Sequence, residues 1–196
     1  MSKPRKITRD DIMPMDEFAK IRKEKRQEII EQKRNRRVDV GPHVTFYFEN
    51  YDTMWLQIHD MLHIERGGEE QIKDELSAYN PLIPQGRDLS ATMMFEIDNR
   101  QRREALLGRL GGVENTVMLS FDGHEVTAEP EMDVERSTEG GRTSSIHFLH
   151  FNFSDEAAEA FKKEGTKVTL EIGHEAYQHA AIIPERVRAA LAEDLD

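Results

Sequence analysis

Apolar and polar side chains alternate along this chain with a period that switches repeatedly between that of a strand and that of a helix. After Gly41-Pro42, the run Val44 to Glu49 is β-branched and aromatic and predicts a strand. Tyr51, Met54, Trp55, Ile58, Met61 and Leu62 then share one face at the helical period. They predict a helix from Asp52 to Arg66 that stops at Gly67-Gly68. A shorter helix, Glu69 to Ala78, leads into Tyr79-Asn80-Pro81-Leu82-Ile83-Pro84, where two prolines impose extended backbone. A strand over Leu89 to Ile97 and a helix over Asn99 to Leu110 follow, ended by Gly111-Gly112. Val117 to Phe121 and Glu125 to Ala128 flank Asp122-Gly123, a strong hairpin signal. Ser144 to Phe153 reads as a strand, Ser154 caps a helix to Lys163, and Thr166 to Ile172 with Tyr177 to Ile183 forms a closing hairpin. Pro184 opens a last helix. Helices between and after hairpin-linked strands give the α+β class, with a mixed, mostly antiparallel sheet.

Two stretches lack this rhythm. Residues 129 to 142 are polar, marked by Pro130 and Gly140-Gly141, and predict a mobile loop. Asp16 to Arg37 consists almost wholly of helix formers, acidic at its start and basic at its end, as the helix dipole favours. Its few apolar residues, Phe18, Ala19, Ile21, Ile29 and Ile30, permit only partial burial, and its Arg/Lys edges are expected to face outward. Residues 1 to 37 carry thirteen Lys/Arg against seven Asp/Glu, net +6, whereas residues 38 to 196 carry fourteen against thirty-one, net −17. The chain therefore divides into a basic N-terminal arm, 1–37, and a single α+β domain, 38–196. Such an arm either reaches an anionic partner or folds back onto its own acidic body. The fold-back reading places Phe18, Ile21, Ile29 and Ile30 against the body.

Composition narrows the chemistry. With 37% hydrophobic and 33% charged residues the chain is polar for a globular protein, yet the recurring apolar segments imply a folded body. There is no cysteine, which removes thiolate nucleophiles, disulfides and thiolate-held metal clusters. Met-Ser-Lys-Pro-Arg-Lys at the start has no apolar leader region, and no stretch approaches the roughly 18 apolar residues of a membrane span. A cytoplasmic protein without a cofactor is expected, with no membrane association.

Few residue clusters suggest a site. His59 and His63 stand four apart on the helix from Asp52, a spacing that two metal-bound imidazoles share. On the helical wheel they fall off the apolar face toward Leu56, so the reading preferred is a pair of solvent-flanking histidines. Glu65 falls within the apolar arc, between Met61 and Ile58 in projection. It is either an acid needing a partner or a side chain reaching out from the last turn. Glu171-Ile-Gly-His174 has di-iron spacing only as a string, because Gly173 in a strand-to-turn segment denies the helix that motif needs. In the strand from Ser144, His147, Leu149, Phe151 and Phe153 share one face while Ile146, Phe148 and His150 share the other. A buried neutral histidine held by groups such as Ser145 is the expectation there. No phosphate loop, nucleophile elbow or zincin pair is present, and the basic helix lacks interleaved aromatics, which disfavours nucleic-acid binding.

Ile7-Thr-Arg-Asp-Asp, Phe48-Glu-Asn50, Ala78-Tyr-Asn-Pro-Leu-Ile-Pro84, Leu89-Ser-Ala-Thr, Thr143-Ser-Ser-Ile-His-Phe148 and Pro184-Glu-Arg-Val-Arg-Ala-Ala-Leu occur in this order. Together they resemble a bacterial family of about this length, catalogued only as a domain of unknown function, over essentially the whole chain. The resemblance implies that His147 belongs to the family pattern, whereas His59, His63 and His150 stand where other members vary. It also implies gene neighbours of rubrerythrin-like and iron–sulfur oxidoreductase type, and hence an accessory role in redox or peroxide-stress metabolism. The leading expectation is a non-enzymatic accessory protein that binds a protein partner, such as a redox protein, through its charge-split surface. The rival is a small-ligand or metal-dependent enzyme whose pocket gathers Glu49, Glu65, Tyr79, Asn80, Arg142 and His147. A third reading is nucleic-acid binding through the basic helix.

Overall fold

The computed structural model describes residues 4–131 and 141–196. Eight strands among them form one sheet: β1 (Arg37–Val40), β2 (Val44–Phe48), β3 (Asp88–Phe95), β4 (Val117–Phe121), β5 (His124–Pro130), β6 (Ile146–Asn152), β7 (Thr169–His174) and β8 (Tyr177–Ile182). Their order is β1-β2-β3-β6-β5-β4-β7-β8, and every pairing is antiparallel. The expected α+β class holds, with no parallel pair among the described residues. The Asp122-Gly123 turn has φ of 45° and 79° at its two centres, the left-handed pair that a two-residue hairpin requires. Strand β5 runs through Pro130, so the expected loop begins later; its positions 132–140 lie outside the described residues.

The sheet curls into a nearly closed barrel, because β1 and β8 meet at its edges. Tyr177, the first residue of β8, donates its hydroxyl to the Val40 carbonyl at 2.9 Å and accepts from the His43 N–H at 2.9 Å. Between them Gly41 sits at φ +69°, where a Cβ would come within 2.5 Å of the His179 ring. One alternating set of strand side chains fills the barrel: Val38, Val40, Phe46, Phe48, Leu89, Ala91, Met93, Leu119, Leu149, Phe151 and Leu170 are all buried in one cluster. The lumen is a side-chain core.

Helices plug both ends. α4 (Arg100–Leu107) follows the end of β3 and buries Leu107 beside Leu110 and Val113. At the opposite end α5 (Asp155–Lys162) follows β6 and α6 (Glu185–Ala192) follows β8, contributing Ala158, Phe161, Val187 and Leu191 to the same core. Ser154 caps α5 as expected, accepting from the Ala157 N–H at 3.1 Å. Pro184 sits one residue earlier than expected, immediately before α6.

The remaining helices, α1 (Met15–Lys33), α2 (Tyr51–Glu65) and α3 (Gly68–Tyr79), form a second layer against the outer face of β2, β3 and β6. A separate core lies between them: Ile7, Ile12, Met54, Ile58, Leu62, Ile72, Leu82 and Ile83, with Phe148 of β6 packed against it. The basic helix folds back. Phe18 is fully buried, its ring 5.9 Å from that of Trp55, and Arg22 pairs with Asp60 at 2.7 Å. Ile21 and Ile29 are half-buried, but Ile30 is 53% exposed and does not face the body as expected. Nor do all the basic edges face outward. Arg36 is 4% exposed and donates to the carbonyls of Phe48 (2.9 Å) and Glu49 (3.0 Å) while ion-paired with Asp194.

Candidate functional site

Strand register defines the floor of a cavity on the barrel's outer face. Tyr47, Thr92 and Phe148 are direct cross-strand partners on β2, β3 and β6, and Met94 and Ile146 form the next row. All five point away from the lumen, because their neighbours Phe46, Phe48, Met93 and Leu149 point into it. Met54 and Gln57 of α2, Tyr79 at the end of α3, and Leu82 close over this floor. Together with Lys33 and Glu49 they line a cavity of about 310 Å³. The walls are mainly apolar, with a few polar groups, the usual make-up of a small-molecule site.

Glu49 is the chemically distinctive member. It is 4% exposed, and its N–H donates to the Ser90 carbonyl at 2.8 Å, which continues the β2–β3 pairing by one residue. One carboxylate oxygen, Oε1, accepts from the Thr92 hydroxyl at 2.8 Å. The other, Oε2, is buried without a hydrogen-bond partner. A buried carboxylate with one unmatched oxygen is costly unless something supplies a donor or a positive charge. Around it, Gln57 Nε2 donates to the Tyr79 hydroxyl at 3.4 Å. The Lys33 ammonium lies 5.8 Å from the Tyr47 ring centroid. Burial raises the Tyr79 pKa, with the negative charges of Glu75, Glu65 and Glu49 adding to it. Tyr47 is pushed up to about 12, first by burial and then by its bond to Glu96, so both phenols stay neutral.

Of the six pocket residues expected from sequence, only Glu49 and Tyr79 meet. Glu65 is exposed on the last turn of α2 and accepts from Gln71 Nε2 at 3.0 Å, so of its two readings it is the side chain that reaches out and not the buried acid. Asn80 holds the N-terminal segment, accepting from the Ile7 N–H at 2.7 Å and donating to the Ile7 carbonyl at 2.9 Å. Arg142 is exposed in the segment leading to β6. His147 faces into the barrel as Met93's cross-strand partner, on the opposite side of the sheet from Thr92 and Phe148. It is buried as expected, but its Nε2 contacts Thr143 Oγ1 (2.9 Å) and the Ser144 carbonyl (3.0 Å) rather than Ser145, with Nδ1 3.9 Å from Glu114 Oε2.

The histidine pair is corrected too. His59 is not solvent-flanking: it is 0% exposed, stacked on Trp55 with ring centroids 3.8 Å apart. Its Nδ1 donates to the Trp55 carbonyl at 2.8 Å and its Nε2 accepts from the Met13 N–H at 3.2 Å. Both ring nitrogens are engaged, so neither can hold a metal. His63 lies edge-on to Phe18, centroids 5.9 Å apart. Among the described residues no group of three His, Asp or Glu side chains could hold a metal ion. Nor is any of their helices long and apolar enough to cross a membrane.

Thr92 and Gln57 were not visible as site residues. Thr92 sits in an ordinary strand alternation, and Gln57 flanks the apolar face of α2; only the β2–β3 register and the packing of α2 over it place them in one cavity with Glu49.

Comparison with known proteins sets these observations in a family. A crystal structure of a novel protein of unknown function from Burkholderia pseudomallei K96243 superposes with a TM-score of 0.89 at 38% sequence identity, covering 97% of this chain and 99% of that one. No curated protein matches the chain. The family model described as "Protein of unknown function (DUF3501)" matches residues 6–195, and the chain belongs to that family.

Proposed function

We propose that this protein is a small-ligand-binding protein whose site is the cavity between α2, the end of α3 and the outer face of β2, β3 and β6. The observation that carries it is Glu49: a buried carboxylate in an apolar-walled cavity of ligand size, with Oε1 held by Thr92 and Oε2 unmatched. Binding is favoured over turnover, because the lining offers hydrogen-bonding groups rather than a nucleophile activated by a neighbouring base. A fragment library followed by amide chemical shifts tests it. Saturable shifts clustered on Gln57, Thr92 and Phe148 are expected; hits that cluster elsewhere, or none, would remove the reading.

A second reading rests on α1. Lys20, Lys23, Gln27 and Ile30 fall on its exposed side at helical spacing, with Arg34 just past its end paired to Glu31, so that Ile30 is an exposed apolar residue bordered by the cations Lys20 and Lys23. That combination suits an acidic protein partner with an apolar contact, in keeping with an accessory role beside a redox protein that carries its own cofactor. Ile30→Glu should then weaken partner capture without altering stability. Unchanged capture by this variant counts against the partner surface.

A further inference from the structure

Resting on the ligand-binding reading above, we infer that the cavity selects a primary amine carrying a compact apolar or aromatic body. Glu49 sets the sign of the head group. Its Oε2 is buried and unmatched, whereas Oε1 is already engaged by Thr92. An anionic ligand would meet a like charge in a desolvated site, and a neutral hydroxyl would leave the carboxylate's charge uncompensated. An ammonium supplies both the charge and up to three N–H donors. Besides Glu49 Oε2, the lining offers further acceptors in the Gln57 carbonyl oxygen and the Tyr79 hydroxyl, since Gln57 spends its amide N–H on Tyr79. A metal cation is a poorer match, because among the described residues no three acidic or imidazole side chains converge.

The remaining wall sets the body. Met54, Leu82, Met94, Ile146 and Phe148 are apolar, and two thioethers among them can pack on a flat ring. About 310 Å³ lies at the lower end of small-ligand cavities, which favours a single ring or short branched chain over a nucleotide or polyamine. The competing cation in the cavity lining is Lys33. Its ammonium lies over Tyr47 rather than paired with Glu49, so Glu49 is left for the ligand and Lys33 stands at the edge of the site.

The test is an amide chemical-shift titration of the full-length protein with 2-phenylethylamine, tyramine and cyclohexylmethylamine. It runs beside the neutral counterpart 2-phenylethanol and the anionic 3-phenylpropionate. At least one amine should give saturable shifts at Gln57, Thr92 and Phe148 and bind roughly tenfold more tightly than the alcohol, with the acid weakest. Glu49→Gln, confirmed as folded by its own spectrum, should erase that preference while retaining weak binding of the alcohol. Should Glu49→Gln fail to fold, Thr92→Val and Gln57→Leu serve instead, each narrowing the preference. Equal binding of alcohol and amine overturns the amine class and leaves the cavity as a ligand site. No saturable shifts from any probe overturns both. Amine binding that appears only in Lys33→Met shows Glu49 to be occupied by Lys33 in the native protein, and also overturns the inference.

Discussion

At the scale of single residues, three buried polar side chains are held in three different ways. Arg36 is matched by carbonyls and a carboxylate, His59 by one donor and one acceptor, and Glu49 by a hydroxyl on one oxygen only. His59 must be neutral to accept from the Met13 N–H, and burial accordingly lowers its pKa, opposed by its bond to the Trp55 carbonyl. A lowered histidine pKa means that, in acid, the unfolded chain takes up a proton that the folded chain refuses. His59 therefore costs no stability above the ordinary imidazole value of about 6.5 and erodes stability as pH falls through it. The urea midpoint should drop between about pH 8 and pH 5 by more in the wild type than in His59→Gln. Parallel curves would show that His59 titrates normally. The sequence concealed this residue for a physical reason: a wheel drawn on α2 shows one apolar face, but α2 is covered on two sides, by the barrel and by α1 with the Met13-Pro14 segment crossing it. The second covering comes from residues some forty positions away in sequence.

At the scale of elements, periodicity located α2, α3, α4, β3 and the Asp122-Gly123 hairpin within a few residues, because each carries its own repeat or turn chemistry. Strand β1 was missed. Its four residues, Arg37-Val-Asp-Val40, alternate too briefly to stand out beside a basic helix, and only β2 and Tyr177 make them a strand. Helix α1 is the opposite case, visible by composition but with an apolar stripe too weak to say which residues bind. Its anchor is Phe18, set among Trp55, His59 and His63. Phe18→Ala should cost about 3–5 kcal/mol, as for other fully buried phenylalanines. Arg22→Ala should cost less, about 0–1 kcal/mol, since the pair with Asp60 is partly solvated. Ile30→Ala should fall within about 0.5 kcal/mol of wild type. Urea unfolding of the three variants gives the ranking; an Ile30 effect as large as that of Phe18 would mean that α1 docks by a different face.

At the scale of the whole molecule, closure depends on contacts that join the chain's distant parts. Tyr177 ties β8 to the β1–β2 turn, and Arg36, the residue just before β1, is paired with Asp194 near the end of the chain. Neither could be read from local pattern. The charge asymmetry was legible as a number, but its cations are spent unequally: Lys20, Lys23 and Arg26 of α1 face water, Arg22, Lys25 and Lys33 are half-buried, and Arg36 is interior. A buried pair of this kind costs little net while whole and a great deal when halved, because the survivor keeps its desolvation penalty without its partner. Asp194→Ala should therefore destabilise by about 3–5 kcal/mol, more than Tyr177→Phe at about 1–3 kcal/mol. The same reasoning separates two truncations. Removing residues 1–33 takes away α1 but leaves Arg36, its carbonyl partners and all of β1, so the barrel should still unfold cooperatively in urea, at a lower midpoint. Removing residues 1–37 also strips Arg36 from Asp194, Phe48 and Glu49 and shortens β1. It should abolish the cooperative transition and collapse the dispersion of amide shifts. If both truncated proteins unfold with the same midpoint and slope, Arg36 is not what ties the barrel's first strand to its last helix.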